Sequence, residues 1–168
     1  MQLKGEEHIP LDPALVWAAL NQPDVLKAAI PGCETLEETE EGFRIGMLAA
    51  VGPVRARFNG KLVLADVCAP TSYTLMFEGS GGVAGFGKGT AHVRLAEVEG
   101  GTCLSYEATA QVGGKIAQVG SRLIDGVAAR MAGEFFSRFK DCIVPPPATP
   151  EAPAPGGTRG GLLAKLWS

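Results

Sequence analysis

From Ile116 to Phe139 the chain places an apolar residue at every third or fourth position: Ile116, Val119, Leu123, Val127, Met131, Phe135 and Phe139. That spacing predicts a long helix over about 115–143 with one continuous stripe, which needs a large apolar surface to lie against. Earlier segments supply it. In VRARFNGKLVL, Val54, Ala56, Phe58, Gly60, Leu62 and Leu64 alternate with Arg55, Arg57, Asn59 and Lys61. A period of two with one apolar side marks an antiparallel sheet covered on one face. Tyr73, Leu75 and Phe77 alternate in the same way, as do Ala91, Val93 and Leu95. So do Leu104, Tyr106, Ala108, Ala110 and Val112, with Glu99-Gly100-Gly101 as the hairpin turn before them.

Residues 2–9 read as a short strand. Leu11-Asp12-Pro13 then opens a helix: Asp12 can accept a bond from a free amide, and Pro13 suits the first helical position. Pro13, Val16, Trp17 and Leu20 give that helix one apolar face. A second short helix is expected over Val25 to Ala29, ended by Ile30-Pro31-Gly32, because proline disfavours helix in the residue before it. The order of segments predicts an α+β domain over residues 1–144. Its curved antiparallel sheet of six to seven strands wraps around a long C-terminal helix, with two short helices after the first strand. Residues 145–161, rich in proline and glycine, read as a flexible linker to a short tip at 162–168.

Composition removes several functions. With a net charge of −3 there is no basic footprint for nucleic acid. The acidic cluster Glu34, Glu37, Glu38, Glu40 and Glu41 reads as a solvated strand edge or turn. Cys33, Cys68, Cys103 and Cys142 are widely separated, without metal-site spacing, and suit reduced, partly buried thiols. The polar segment MQLKGEEHIP does not resemble a signal peptide, and no run is long enough to span a bilayer, so a cytoplasmic location is expected. Gly82 through Lys88 approaches a phosphate-binding loop. Gly89 stands where Ser or Thr is needed, however, and a strand rather than a helix follows. His8 and His92 fall on polar strand faces, and no nucleophilic triad or paired carboxylates can be assembled, so no catalytic residue is expected.

The inward sheet face is rich in small residues: Ala56, Gly60, Gly87, Gly89, Ala91, Ala108 and Ala110. Gly120 and Gly126 interrupt the predicted helix facing it. Either helix and sheet approach closely over these positions, or they stand apart and enclose a pocket. A pocket would be lined by Trp17, Leu20, Phe58, Gly60, Phe77, Phe86, Tyr106, Ala108, Gly120, Leu123, Val127 and Met131, and would suit a hydrophobic small molecule.

Three segments together carry a resemblance. VWAALNQPDVLKAAIPGCE and GKIAQVGSRLIDGVAARMAGEFFSRF are similar to the first helix and corner, and to the final helix, of the CoxG family, the G subunit of carbon monoxide dehydrogenase. FNGKLVLADV fits between them. The resemblance implies a helix-grip fold of the START-like (SRPBCC) superfamily with a deep hydrophobic cavity and no catalytic residues. It also implies a partner, a molybdenum-containing carbon monoxide dehydrogenase or related hydroxylase, and a role in linking that enzyme to the membrane. The expected cargo is a non-covalently bound quinone of the menaquinone or ubiquinone type. The alternatives are a membrane anchor or assembly factor without cargo, and a cyclase-like enzyme.

The tip agrees with a membrane role. In a helical turn Leu162, Leu163, Leu166 and Trp167 share one side, with Lys165 opposite. Tryptophan favours the interface and lysine favours anionic lipid, so reversible attachment to the inner face of the cytoplasmic membrane is expected.

Overall fold

The computed structural model describes residues 1–145. Residues 146–161 of the predicted linker and the tip at 162–168 lie outside that range. Seven strands form a single antiparallel sheet: β1 (Gln2–Ile9), β2 (Cys33–Glu38), β3 (Gly42–Val51), β4 (Val54–Cys68), β5 (Ser72–Ser80), β6 (Phe86–Val98) and β7 (Gly101–Gly113). Its spatial order is β1-β7-β6-β5-β4-β3-β2, a meander from β2 to β7 against which β1 returns. Helices α1 (Pro13–Leu20) and α2 (Pro23–Ala29) connect the two edge strands, and α3 (Ser121–Ile143) follows β7. This is the expected α+β helix-grip fold.

The local chemistry accounts for most boundaries. Pro13 and Pro23 begin α1 and α2 at positions where a missing N–H is harmless. Asp12 occupies the N-cap position of α1, but its side chain caps no amide, contrary to expectation. The Asn21 side-chain amide instead donates to the Trp17 carbonyl at 2.9 Å and closes the far end. The Ile30-Pro31-Gly32 corner turns at Gly32, whose φ is +74°, and the Gly32 carbonyl accepts the Leu48 amide at 2.9 Å. Val98 pairs with Gly101 across the tight β6–β7 hairpin, where Gly100 has a φ of +84°. The acidic stretch lies on edge strand β2 and its turn, as expected. There Arg57 donates two bonds to Glu34, at 2.7 and 3.2 Å, and holds that carboxyl below its ordinary range.

The predicted 115–143 helix is two elements. Lys115–Val119 forms a 3-10 turn, Gly120 reverses the backbone at φ +100°, and α3 begins at Ser121. Gly120 is therefore an N-cap residue outside the helix. An added Cβ at Gly120, Gly126 or Gly133 would meet nothing within 4 Å, so none of the three serves a close helix–sheet approach. Val144 leaves the helical conformation before Pro145, which ends α3.

Ile9, Val16, Leu20, Tyr73, Leu95, Leu104, Phe136 and Phe139 form the core, gathered where α1 and the C-terminal half of α3 meet the sheet. Helix α3 packs on α2, β1 and β3. At its last turns Lys140 pairs with Glu7 at 2.7 Å. Glu7 shares the inward side of β1 with Leu3 and Ile9, so this polar tie crosses an otherwise apolar face.

Candidate functional site: an apolar cavity between α3 and the sheet

A cavity of about 420 Å³ lies between α3 and the inward face of the sheet, within the usual size range of small-molecule sites. Strands β3 to β7 supply its floor through alternate residues: Phe43, Ile45 and Met47; Phe58, Gly60, Leu62 and Leu64; Tyr73, Leu75 and Phe77; Ala91 and Val93; and Leu104 and Tyr106. Met131, Ala132, Phe135 and Phe136 of α3 form the roof, and Leu20, Leu26 and Ile30 close one side. Of the two accounts of the small residues, the one that leaves a pocket holds.

The glycines make that room by seating aromatic rings. Tyr106 stands directly opposite Gly5, and Phe77 directly opposite Gly89. A Cβ at Gly5 would come within 2.7 Å of the Tyr106 hydroxyl oxygen, one at Gly89 within 2.7 Å of the Phe77 ring, and one at Gly81 within 2.8 Å of the Phe58 ring. Tyr106 and Phe77 therefore lie down over a neighbouring strand, and Phe58 over the turn that follows β5, instead of standing up into the space beneath α3.

Six of the sequence-predicted positions are in the wall: Leu20, Phe58, Gly60, Phe77, Tyr106 and Met131. The other six are not. Phe86 is on the even-numbered, outward side of β6, 47% exposed, with its ring over Gly113. Trp17 stands behind the wall, edge-on to Tyr73 at a centroid distance of 5.3 Å. Ala108 faces inward but is not part of the lining. Gly120 and Leu123 would face the cavity only from one unbroken helix. Gly120 is exposed, and Leu123, 40% exposed, lies over Gly52 in the β3–β4 turn. Val127 is buried without reaching the cavity. The β3 contribution is absent from the sequence prediction, although GFRIGML carries the alternating signal in Phe43, Ile45 and Met47. So are the roof residues Phe135 and Phe136 and the floor residue Tyr73; Phe135 and Tyr73 lie on apolar stripes legible in the sequence, whereas Phe136 is one position off the helical stripe.

Polar groups in the wall are few. Asn59 and Glu78 contribute at its edge, but both are exposed residues of the outward side, where the Glu78 carboxylate pairs with Lys61 at 3.4 Å. Tyr106 stacks on Phe136 at 5.2 Å. Burial raises the Tyr106 phenol above its ordinary value, and the nearby Glu7 carboxylate adds to the effect. Tyr73 is 8% exposed, and burial pushes its phenol up to about 12. Among the described residues, no cluster of His, Cys, Asp or Glu could hold a metal ion, and no helix is long and apolar enough to cross a membrane. The lining suits an apolar body.

The model of one protein family, CoxG, described as the G subunit of carbon monoxide dehydrogenase, matches residues 5–144. The chain belongs to the CoxG family. Among solved structures, a conserved protein from Geobacillus kaustophilus is similar at 28% identity and a TM-score of 0.80, covering 85% of this chain and 95% of that one. TTHA0849 from Thermus thermophilus shares 15% identity at a TM-score of 0.64, covering 86% and 97% of the two chains. Ara h 8.0201 shares 18% identity at a TM-score of 0.57, with coverage of 86% and 97%. The last two likenesses concern the fold, which is START-like. No functionally curated protein matches the chain at a significant level. The CoxG match spans both the corner at Gly32 and the whole of α3, the two features that frame the cavity.

Proposed function

We propose that this CoxG-family protein is a non-catalytic carrier of an isoprenoid quinone. It passes the quinone between a molybdenum hydroxylase of the carbon monoxide dehydrogenase type and the membrane, in support of electron transfer. The observation that carries this reading is the cavity: about 420 Å³, apolar on floor and roof, set in a family named for that dehydrogenase. An apolar cavity with no charged side chain turned into it favours a neutral, lipophilic cargo, because an ionic one would lose its hydration without compensation. A quinone is neutral in both its oxidised and fully reduced forms. The membrane contact is assigned to residues 162–168, whose leucines, lysine and Trp167 suit an interface, and the protein works at the inner face of the cytoplasmic membrane.

The cargo and the tether are separable. Ala91→Phe places a large side chain from β6 into the cavity and should abolish uptake of menaquinone-4 from phosphatidylcholine vesicles, while flotation with anionic vesicles is unchanged. Deleting Leu162–Ser168 should do the reverse, abolishing flotation while the isolated domain still takes up quinone from added vesicles. A wild-type protein that floats but takes up no quinone would leave the alternative, a membrane anchor or assembly factor without cargo.

A further inference from the structure

Tyr73, Val93, Tyr106 and Gly5 form one continuous row across β5, β6, β7 and β1. The first three are in the cavity wall, so two phenols flank Val93 on an otherwise apolar floor. They are not equivalent. The Tyr106 hydroxyl lies over Gly5 toward the β1 edge, and its ring is pinned by stacking on Phe136. The Tyr73 ring is held from behind by Trp17 and belongs to the same buried core cluster as Leu20, Leu104 and Phe136. Its hydroxyl has no hydrogen-bond partner among the described residues. A buried hydroxyl left without a partner costs about 1–3 kcal/mol, so native structures rarely retain one without a reason.

We infer that the Tyr73 hydroxyl is the polar anchor of the cavity, engaging a carbonyl or hydroxyl oxygen at the inner end of an apolar ligand whose body extends beneath α3. The inference rests on the carrier reading and specifies which end of the cargo enters first. The chemistry suits a quinone in either state: a phenol donates to a quinone carbonyl and accepts from a quinol hydroxyl without changing its own protonation. Any phenol keeps its proton throughout the physiological pH range, so the donor is always available there. Tyr73 is a positioning residue for the cargo. It sets the head-first orientation and the preference for an oxygen-bearing head over a plain hydrocarbon.

Tyr73→Phe keeps the ring and removes only the hydroxyl. Full-length wild type and variant are equilibrated with phosphatidylcholine vesicles containing either menaquinone-4 or phytane, a saturated isoprenoid hydrocarbon. Bound ligand, the infrared carbonyl bands of bound menaquinone-4 and the ligand-free melting temperature are then measured. The expected result is a roughly five- to tenfold loss of menaquinone-4 affinity, the equivalent of one net hydrogen bond, with unchanged phytane binding. One carbonyl band should shift toward the unbonded frequency, and the ligand-free melting temperature should be unchanged or raised. Equal menaquinone-4 affinity with identical carbonyl bands would overturn the anchor and leave the carrier reading standing. Parallel loss of both ligands with a lowered melting temperature would also overturn it, showing a packing role alone. Wild type that takes up neither ligand would overturn the carrier reading, and the anchor with it.

Discussion

Tyr73 has a consequence that does not depend on cargo. Its phenol titrates near 12 in the folded protein, against about 10 in an unfolded chain. Above pH 10 the unfolded chain releases this proton while the native state still holds it. Stability is therefore full below pH 10 and falls as the pH rises toward 12, by about 2–3 kcal/mol from this one group. Chemical denaturation at pH 9 and pH 11.5, a window that covers only part of that fall, should show a drop that is smaller by about 2 kcal/mol in Tyr73→Phe, and an equal drop in both proteins would contradict the assigned burial. Single positions are only partly legible in the sequence. Alternation places Phe58, Gly60, Phe77 and Tyr106 correctly, because a strand's period is rigid. Phe86 follows the same rule, and counting inward from Ala91 and Val93 puts it outside. What alternation does not encode is how rings lean. That Tyr106 covers Gly5 depends on pairing between the first and last strands, and that Phe77 covers Gly89 depends on the register of β5 on β6; a single strand's alternation contains neither.

Helix α3 shows the opposite limit, in which the pattern is clear but the boundary hidden. The apolar spacing continues unbroken through Gly120, so periodicity predicts one helix, whereas Gly120 adopts a φ of +100° that a helix cannot accommodate. This separates the buried Ile116 beneath Gly85 from the α3 face that begins at Val127. Gly126 and Gly133 then sit on an exposed face of α3 with open space where a Cβ would go. Each alanine substitution should stabilise the protein by about 0.5–1 kcal/mol, and the pair should be nearly additive because the sites are two turns apart. Thermal or urea unfolding of Gly126→Ala, Gly133→Ala and the double variant measures this. Destabilisation would mean that those glycines face a surface the structure places elsewhere. The short helices are legible because proline fixes their starts, while the missing Asp12 cap shows that a favourable residue type does not guarantee the bond.

The chain as folded is a meander whose edges are joined by two short helices and whose open side is spanned by α3. The order of segments is enough to foresee that architecture. Whether sheet and helix meet tightly or stand apart is not decided by composition, because small residues serve both outcomes. The decision comes from glycines that let Phe58, Phe77 and Tyr106 lie flat, together with α3 resting on β1 and β3 on either side of the hollow. A space of this kind, closed by Leu20, Leu26 and Ile30 and with the inward Glu7 paired to Lys140 outside its lining, is the basis of the carrier reading. The most direct test is organic extraction and native mass spectrometry of the full chain, expressed in a quinone-producing host and purified without detergent. The account predicts a co-purifying isoprenoid quinone approaching one molecule per protein, absent from Ala91→Phe. Wild-type protein that carries no quinone and gains none from quinone-loaded vesicles would contradict it.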